Sequence, residues 1–226
     1  MKTFYVELVS PVTQIFNAIT KSQGYPDQWK IEYGTPIPKQ LPVQNEADLR
    51  IISKTPFLSK FYESFIVDWL LSYIRPFLDP NQCGGMKGIS INHYLIKVLH
   101  FAFSILDNRE PHAVLSVLVD MSKAFNRVDH NLIIQDLFDM KCPPWLLRIF
   151  FSYLSNRILI VQFRDAIASP RALNAGGPQG TALGFIIFII KFNGACLRPK
   201  IPRNMINQKL MSVKFVDDTS SACGIF

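Results

Sequence analysis

Two short apolar segments end abruptly at aspartates, and this feature constrains the fold of the chain more than any other. Residues 113–119 form a continuous run rich in Val and Leu that stops at Asp120, which predicts a buried strand. Residues 212–216 predict a second strand, which ends at Asp217-Asp218. The pattern therefore indicates a sheet that carries carboxylates at the ends of its strands.

Other predicted elements surround these strands without a regular alternation of strand and helix. Helices are predicted over residues 10–20 (opened by Ser10-Pro11), 56–78, 90–107, 131–140, 145–154 and from 181 onward, and strands over 158–163 and 219–225. Residues 219–225 are placed to return beside 212–216 as a hairpin, and the proline-rich residues 24–45 predict extended chain and turns. Because strand–helix–strand units do not repeat, the order favours an α+β fold over a doubly wound sheet.

The composition excludes several classes of protein. Of 226 residues, 49% are apolar and 18% are charged, which supplies enough apolar surface to exclude wholesale disorder. The net charge of +7 is compatible with a polyanionic partner such as nucleic acid. The longest apolar stretch, residues 182–190, is shorter than the roughly 20 residues of a membrane-spanning helix. It therefore predicts a buried helix and no association with a membrane.

The cysteines and histidines show no metal-binding pattern. The four cysteines, at positions 83, 142, 196 and 223, lie far apart and form no CxxC pair. This spacing disfavours a zinc site and a disulfide framework, and it favours a reducing compartment. The four histidines are interpreted as structural or solvated. We therefore expect an intracellular protein, in the nucleus or the cytoplasm.

The aspartates at the strand ends are candidate metal ligands. Adjacent carboxylates repel each other, and their burial is costly unless a cation neutralises them. If the hairpin brings Asp217 and Asp218 beside Asp120, the cluster offers the hard oxygen ligands that Mg²⁺ prefers. Such a cluster suits two-metal phosphoryl transfer. The residues alone leave another interpretation open, because aspartate is common in polar turns and Asp120 could cap its strand.

Several segments, in order, resemble motifs of reverse transcriptases of the non-long-terminal-repeat retrotransposon type. Residues 119–130 (VDMSKAFNRVDH) resemble the first catalytic motif, 177–184 (GPQGTALG) the PQG motif, and 215–218 (FVDD) the signature hairpin. In this chain, residues 29–30, 36–39 and 49–53 resemble the fingers motifs of the family, and residues 82–90 resemble its template-side segment. The resemblance covers most of the chain, about residues 25–222.

This resemblance implies an α+β right-hand polymerase fold with fingers and a partial palm, in which helices back an antiparallel palm sheet. It places a flanking helix at residues 1–24, the fingers and template-side segment at 25–112, and the palm with its carboxylates at 113–226. Only eight residues follow Asp218, so the thumb is expected to be absent from this chain. The thumb and an endonuclease are expected elsewhere in an intact retrotransposon polyprotein, of which this chain would be a fragment.

The resemblance also implies a site for a deoxynucleoside triphosphate. Lys39 and Arg50 would grip the triphosphate, Gln179 would contact the nucleotide, and Phe125 would be a steric gate that excludes a 2′-hydroxyl. Taken by their local sequence alone, the two basic residues could equally be solvated surface charges. Phe125 could be a core aromatic residue, and Gln179 could lie in a plain turn.

A template strand is the further partner that the resemblance implies. Gly85, Lys87 and Gly88 would let the backbone approach the RNA template. Met86 and Ile89 stand where the family commonly has arginine, which predicts weaker phosphate contacts and a shallower salt dependence.

The function implied by resemblance is RNA-directed DNA polymerisation. Asp120, Asp217 and Asp218 would hold two Mg²⁺ ions, with Mn²⁺ as an alternative metal, while a DNA primer 3′-hydroxyl attacks the nucleotide. Asn126 and Ile51 depart from the family pattern, where aspartate and proline are usual. Two other functions stay open: an inactive truncated remnant that at most binds nucleic acid, and a metal-dependent nuclease that uses the same carboxylates.

Overall fold

The computed structural model describes residues 4–86, 88–107, 113–119, 128–194, 206–216 and 218–225. The chain divides into two compact units, each made of two segments. The first unit comprises Met1–Pro76 and Phe125–Ile187, and the second comprises Phe77–Ala124 and Phe188–Phe226. None of the helices in the described part of the chain has the length and apolar character needed to cross a membrane.

The described elements are a mixture of helices and strands. The helices are α1 (Tyr5–Ser22), α2 (Phe57–Ile74), α3 (Ile91–Leu106), α4 (His130–Asp139), α5 (Pro144–Leu154) and α6 (Ala182–Lys191). The strands are β1 (Ile31–Pro38), β2 (Leu49–Lys54), β3 (Ala113–Val119), β4 (Arg157–Phe163), β5 (Ala166–Ile167), β6 (Arg171–Leu173), β7 (Ile206–Phe215) and β8 (Asp218–Ile225). Short 3-10 turns lie at Asp27–Trp29, Glu46–Asp48 and Arg75–Phe77.

The first unit is built on a five-stranded sheet in the order β2-β1-β4-β5, with β6 also paired to β4. β1 runs antiparallel to β2 and parallel to β4, where Ile31 lies opposite Ile158. β1 is the extended part of the proline-rich segment. Its prolines, Pro36 and Pro38, lie beyond Gly34, where the pairing with β4 ends. A proline lacks the N–H of a ladder bond, so an unpaired strand edge tolerates it.

Aromatic side chains from the helices and from the segment after α1 form part of the core of the first unit. Tyr62 of α2 is fully buried, and its ring centroid lies 5.1 Å from that of Phe16 in α1. The ring of Tyr25 lies 5.0 Å from the ring of Tyr153 in α5, at an interplanar angle of 84°. Edge-on aromatic packing of this kind adds about 0.5–1.5 kcal/mol per pair beyond the burial of surface.

The second unit contains a three-stranded antiparallel sheet in the order β3-β8-β7, against which α3 packs. The predicted hairpin is confirmed, although β7 begins at Ile206 and is longer than expected. Val213 and Cys223 are fully buried, and Ala222 is nearly so. These three side chains form part of the core of the second unit.

The start of the first helix differs from the prediction. Ser10-Pro11 was expected to open the helix, but α1 begins at Tyr5 and Pro11 lies inside it. A proline in a helix removes the donor to the carbonyl four residues earlier, here that of Glu7. Both residues are exposed, so the carbonyl is open to water and the helix continues.

The strand that was predicted to be buried is largely exposed. Leu118 of β3 is 77% exposed, and Leu115 and Val117 are exposed by about half that amount, 40% and 39%. Among the described strands, β3 pairs with β8 alone and forms the edge of its sheet. A continuous apolar run indicates a strand covered on both faces, and the described residues cover β3 only in part.

Candidate functional site

The ends of three strands meet at one end of the sheet in the second unit. β7 and β8 are joined by a two-residue turn, and Phe215 pairs with Asp218 on either side of it. β3 runs antiparallel to β8, and its last residue, Val119, pairs with Thr219. Paired residues in an antiparallel ladder lie about 4.5–5.5 Å apart. β3 therefore ends next to the residues at which β7 ends and β8 begins.

One of the three predicted metal ligands, Asp218, belongs to one of these pairs. Asp218 begins β8. Asp120 and Asp217, together with Phe125 and Lys87, lie outside the described residues. Within the described residues, no group of three or more histidine, cysteine, aspartate or glutamate side chains could hold a metal ion.

The backbone is strained at Val216, the first residue after β7. Val216 adopts a φ of 59°, in the left-handed region. A two-residue hairpin turn of this kind requires positive φ, which glycine and asparagine adopt easily and a β-branched residue does not. Such a conformation costs about 1–3 kcal/mol and persists only where surrounding contacts hold it.

A buried lysine ties β7 to the preceding parts of the second unit. The side chain of Lys214 is 2% exposed, and its Nζ lies 2.8 Å from a carboxylate oxygen of Asp79. The same Nζ donates to the carbonyls of Phe192 and Asn193, at 3.0 and 2.8 Å. The ammonium thus has three oxygen partners, which offset the cost of its burial. Little in the sequence indicates that Lys214 is buried, because a single lysine before the FVDD motif is ordinarily solvated.

Helix α3 supports the same hairpin. The hydroxyl of Tyr94 is hydrogen-bonded to the hydroxyl of Ser220 in β8. The Tyr94 ring also packs edge-on against Phe215, with centroids 6.0 Å apart. Neither partner could be identified from sequence, because both contacts join residues more than 100 positions apart.

In the first unit, Lys39 and Arg50 lie at the same end of the hairpin formed by β1 and β2. Both side chains are exposed, and Lys39 donates from Nζ to the carbonyl of Ala47 at 3.0 Å. Its backbone N–H donates to the carbonyl of Asp48 at 2.7 Å, next to the pair that Pro38 forms with Leu49. The two cations predicted to bind triphosphate are therefore on one hairpin, with their charges open to solvent.

The loop between Lys39 and Arg50 is ordered by Asp48. The carboxylate of Asp48 accepts hydrogen bonds from the N–H groups of Gln44 and Asn45 and from Nε2 of Gln40, at 2.9, 3.1 and 2.8 Å. The bond from the Gln44 N–H contributes most to lowering the pKa of Asp48 below its usual value. A capping box between Asn45 and Asp48 closes the same turn.

Gln179 lies in a loop that is bonded to this hairpin. The carbonyl oxygen of Gln179 accepts a hydrogen bond from the N–H of Ser53 in β2 at 2.9 Å. Its side chain is half-buried, and the following residue, Gly180, adopts a φ of 102°. Among the residues predicted to bind nucleotide, the structure thus brings Gln179 together with the strand that carries Arg50.

The end of this loop is held against the start of α6. The Thr181 hydroxyl donates to the carbonyl of Pro178 at 3.2 Å and accepts from the N–H of Gly184 at 3.0 Å. A Cβ on Gly184 would lie 2.2 Å from the Pro178 oxygen. The turn can pack this closely on the helix only because residue 184 has no side chain.

A buried carboxylate lies beneath the same helix start. Glu63 of α2 is fully buried and accepts hydrogen bonds from the Ser59 hydroxyl at 3.2 Å and the Leu183 N–H at 3.4 Å. Burial raises the pKa of Glu63 above its usual value. Burial likewise raises the pKa of Tyr25 and of Tyr153 in the same cluster. Glu63 carries no signal in the sequence, because a single acid in an aromatic helix forms no motif.

His130 contacts the start of the loop that carries Gln179. Its Nε2 lies 2.7 Å from the carbonyl oxygen of Gly176, whose N–H donates to the carbonyl of Val128 at 2.7 Å. Of the two interpretations that its sequence left open, structural or solvated, this contact favours a structural role for His130. Asp129 caps α4 by accepting from the N–H groups of Asn131 and Leu132.

Two of the three predicted template-binding residues lie in the described part of the second unit. Gly85 and Gly88 are exposed and adopt φ values of 71° and 83°. Among the described residues, apart from its neighbours in the chain, no atom lies within 4 Å of the position that a Cβ would take on Gly88. The backbone at this position is open to close approach.

Comparison with known proteins gives a consistent family relationship. The family described as reverse transcriptase (RNA-dependent DNA polymerase) matches residues 37–223. A probable RNA-directed DNA polymerase from transposon BS of Drosophila melanogaster is 29% identical over 193 residues, covering 84% of this chain and 21% of that protein. The probable RNA-directed DNA polymerase from transposon X-element of the same organism is 30% identical, covering 79% and 20%. The chain thus spans about a fifth of the length of these curated relatives.

The fold is similar to that of solved telomerase structures. Apo telomerase from Candida tropicalis superposes with a TM-score of 0.61 at 13% identity, covering 98% of this chain and 44% of that chain. Telomerase from Candida albicans, in complex with a fragment of telomeric RNA, gives 0.58 at 10% identity, covering 93% and 40%. At such low identity the likeness concerns the fold alone, and it confirms the predicted α+β class.

Proposed function

Since the chain belongs to the reverse transcriptase (RNA-dependent DNA polymerase) family, we propose that it forms the core of an enzyme that extends a DNA primer on an RNA template. In this reaction the primer 3′-hydroxyl oxygen attacks the α-phosphorus of a deoxynucleoside triphosphate. A new phosphodiester bond forms, pyrophosphate leaves, and the hydroxyl proton is released. The fingers would comprise residues 25–112 and the palm 113–226.

The observation that carries the proposal is the register of the three-stranded sheet. Val119 pairs with Thr219, and Phe215 pairs with Asp218. β3 consequently ends at the same end of the sheet at which β7 ends and β8 begins. This is the arrangement that a carboxylate cluster from two separate motifs requires.

We assign the metal-binding role to Asp120, Asp217 and Asp218. Three carboxylates next to paired strand ends fit Mg²⁺, which takes oxygen ligands and shares them with substrate phosphates, and Mn²⁺ is an alternative. Two bound ions would lower the pKa of the primer hydroxyl and neutralise the leaving pyrophosphate. The side chains of the protein would hold and orient the reactants around them.

The nucleotide would be bound by side chains of the first unit. Lys39 and Arg50 are exposed on one hairpin and would neutralise the triphosphate, Arg50 through its planar fork and Lys39 as a point charge. Gln179 would contact the nucleotide, because the loop that presents it is bonded to β2. Phe125 would lie against the sugar and exclude a 2′-hydroxyl.

The nucleic-acid partners would be an RNA template and a DNA primer. Gly85, Lys87 and Gly88 would approach the template, and the open space at Gly88 is compatible with a close contact to a phosphate. The base excess of the chain, +7, favours binding to a polyanion.

Primer extension tests this function directly. The purified protein is incubated with an RNA template, a DNA primer, deoxynucleoside triphosphates and Mg²⁺. We expect extension by the wild-type protein and a loss of at least about 100-fold in the rate for Asp217→Asn, because the substitution removes a charged ligand. Asp165→Asn, in an exposed turn of the first unit, is the matched control and should leave the rate unchanged.

The other outcomes separate the remaining functions. Unchanged extension by Asp217→Asn would show that the metal assignment is wrong. A wild-type protein that binds the primer–template duplex without extending it would be an inactive remnant. Cleavage of labelled RNA or DNA without added nucleotides would instead indicate a nuclease.

A further inference from the structure

A buried glutamine contacts the turn that carries the proposed metal ligands. Gln82 is 3% exposed and precedes α3 in the second unit. Its Oε1 accepts a hydrogen bond from the N–H of Val216 at 3.2 Å and from the N–H of Gly84 at 3.0 Å. Val216 is the first residue of the turn between β7 and β8, and Asp217 follows it directly.

The backbone around Gln82 runs along β7 and fixes the position of this contact. Lys214 pairs with Gln82 through a parallel bridge, in which its N–H donates to the carbonyl of Asn81 at 3.0 Å. The N–H of Cys83 donates in turn to the carbonyl of Lys214 at 2.8 Å. The segment that carries Gln82 is therefore held by two backbone hydrogen bonds next to the turn.

Gly84 allows the segment to approach the turn this closely. A Cβ at Gly84 would lie 2.4 Å from the backbone nitrogen of Val216 and 2.5 Å from one of its methyl carbons. No side chain can be accommodated there without moving the turn. The carboxamide of Gln82 thus reaches the Val216 N–H across a gap that only glycine leaves open.

The strained turn needs an external partner of this kind. Val216 is β-branched and adopts a φ of 59°, a conformation that surrounding contacts must hold. The Oε1 of Gln82 supplies an acceptor for the N–H that this conformation presents. Its Nε2, in contrast, has no hydrogen-bond partner among the described residues.

We infer that Gln82 is a positioning residue, which holds the Val216 turn so that Asp217 and Asp218 are presented for metal binding. The inference rests on the proposed function, because it assigns Gln82 a task in the same reaction. Gln82 acts through the backbone of the turn and is not itself placed among the reacting groups.

The contact is tested first without any activity measurement. In Gln82→Met, which keeps the length of the side chain and removes the acceptor, we expect the Val216 amide to exchange its hydrogen at least about 10-fold faster by ¹⁵N NMR. The Lys214 amide, which donates to Asn81, should keep its protection and so report that the segment is folded. Gln14→Met, on the exposed surface of α1, should change neither amide.

The conservative variant Gln82→Glu distinguishes the role of the acceptor Oε1 from that of the donor Nε2. It retains an oxygen acceptor for the Val216 N–H and removes Nε2. We expect Val216 to stay protected in this variant. Equal protection of Val216 in the wild-type protein and in Gln82→Met would overturn the inference, as would loss of protection in both substitutions.

The second measurement tests whether loss of the Gln82 contact weakens metal binding by the proposed ligands. In Gln82→Met we expect Mn²⁺ affinity, measured by electron paramagnetic resonance, to fall about 10-fold, because displaced carboxylates bind the ion less well. In primer extension, kcat should fall by a similar factor, while KM for the deoxynucleotide stays within about twofold. Faster exchange at Val216 with unchanged Mn²⁺ affinity and kcat would overturn the positioning role.

Failure of the proposed function and failure of the inference about Gln82 give different results. If the wild-type protein extends no primer but Gln82→Met weakens Mn²⁺ binding and exposes the Val216 amide, then the proposed function fails and the positioning role is supported. If the wild-type protein extends primers and Gln82→Met matches it in all three measurements, then the inference fails and the proposed function is unaffected.

Discussion

Glu63 illustrates how a single residue in the first unit combines burial with charge. Its carboxyl group accepts hydrogen bonds from Ser59 and from the N–H of Leu183 at the start of α6. These bonds and the guanidinium of Arg157 favour the charged form, yet burial dominates and raises the pKa of Glu63. Ionisation of this group therefore opposes folding.

Glu63→Gln should change the pH dependence of stability. Because the pKa of Glu63 is higher in the folded than in the unfolded protein, the unfolded chain loses its proton first as pH rises. The wild-type free energy of unfolding should then fall between the two pKa values. Glutamine keeps the acceptor for Leu183 without ionising, so urea unfolding of the variant at a series of pH values should lack this fall.

The control for this prediction is Glu46→Gln, an exposed glutamate in the first unit. It should retain the decrease that the wild-type protein shows. If Glu63→Gln retained the decrease as well, then ionisation of Glu63 would not be its cause.

At the scale of elements, the loop before α6 is shaped by the helix on which it rests. Gly177 and Gly184 face each other, and a Cβ on Gly177 would lie 3.1 Å from the Cα of Gly184. Thr181 bonds to both the loop and the helix, and Tyr153 of α5 lies 3.2 Å from the Thr181 hydroxyl. Loop and helix therefore behave as one element that presents Gln179.

Gly184→Ala should displace this loop. The added methyl group would lie 2.2 Å from the Pro178 carbonyl oxygen, which is part of the backbone and cannot move without the turn. We expect a loss of about 1–3 kcal/mol in the free energy of unfolding, measured with urea. KM for the deoxynucleotide should rise in primer extension, because Gln179 moves with the loop.

Gly194→Ala is the matched control, since no atom of the described part of the chain, its chain neighbours aside, lies within 4 Å of the Cβ position at Gly194. It should leave stability unchanged to within about 0.5 kcal/mol. Wild-type stability in Gly184→Ala would show that the loop is free to shift at no cost, contrary to the close packing of loop and helix.

At the scale of the whole molecule, the charge balance bears on binding to polyanions, and the path of the chain bears on folding. The excess of 24 basic over 17 acidic residues gives a net charge of +7. Each compact unit is assembled from two segments that are distant along the chain. The folding of either unit thus depends on long-range contacts, such as the parallel pairing of β1 with β4.

Binding to an RNA–DNA duplex should weaken as salt rises. Because contacts between basic side chains and phosphates release counterions, we expect affinity to fall at least about 10-fold between 50 and 200 mM salt. Fluorescence anisotropy with a labelled primer–template duplex measures this change. A duplex of neutral-backbone peptide nucleic acid is the control, and equal salt dependence for the two duplexes would contradict a role for phosphate contacts.

The sequence by itself determined the order of most helices and strands and the family of the chain. Apolar periodicity predicted α2, α3, α5 and β4 closely, because their patterns are long and bounded by turn residues. The hairpin of β7 and β8 was predicted from two strands around an aspartate pair. The motifs indicated the candidate site because their residue types are chosen by chemistry rather than by packing.

Only the tertiary structure decided which residues support that site and which strands are neighbours. The contacts of Gln82 with Val216, of Lys214 with Asp79 and of Glu63 with Leu183 join residues more than 100 positions apart, and local periodicity carries no information about such pairs. The exposure of β3 likewise depends on the number of strands that lie beside it. Burial, register and the pKa of a buried acid are properties of neighbours in space, and those neighbours exist only once the chain has folded.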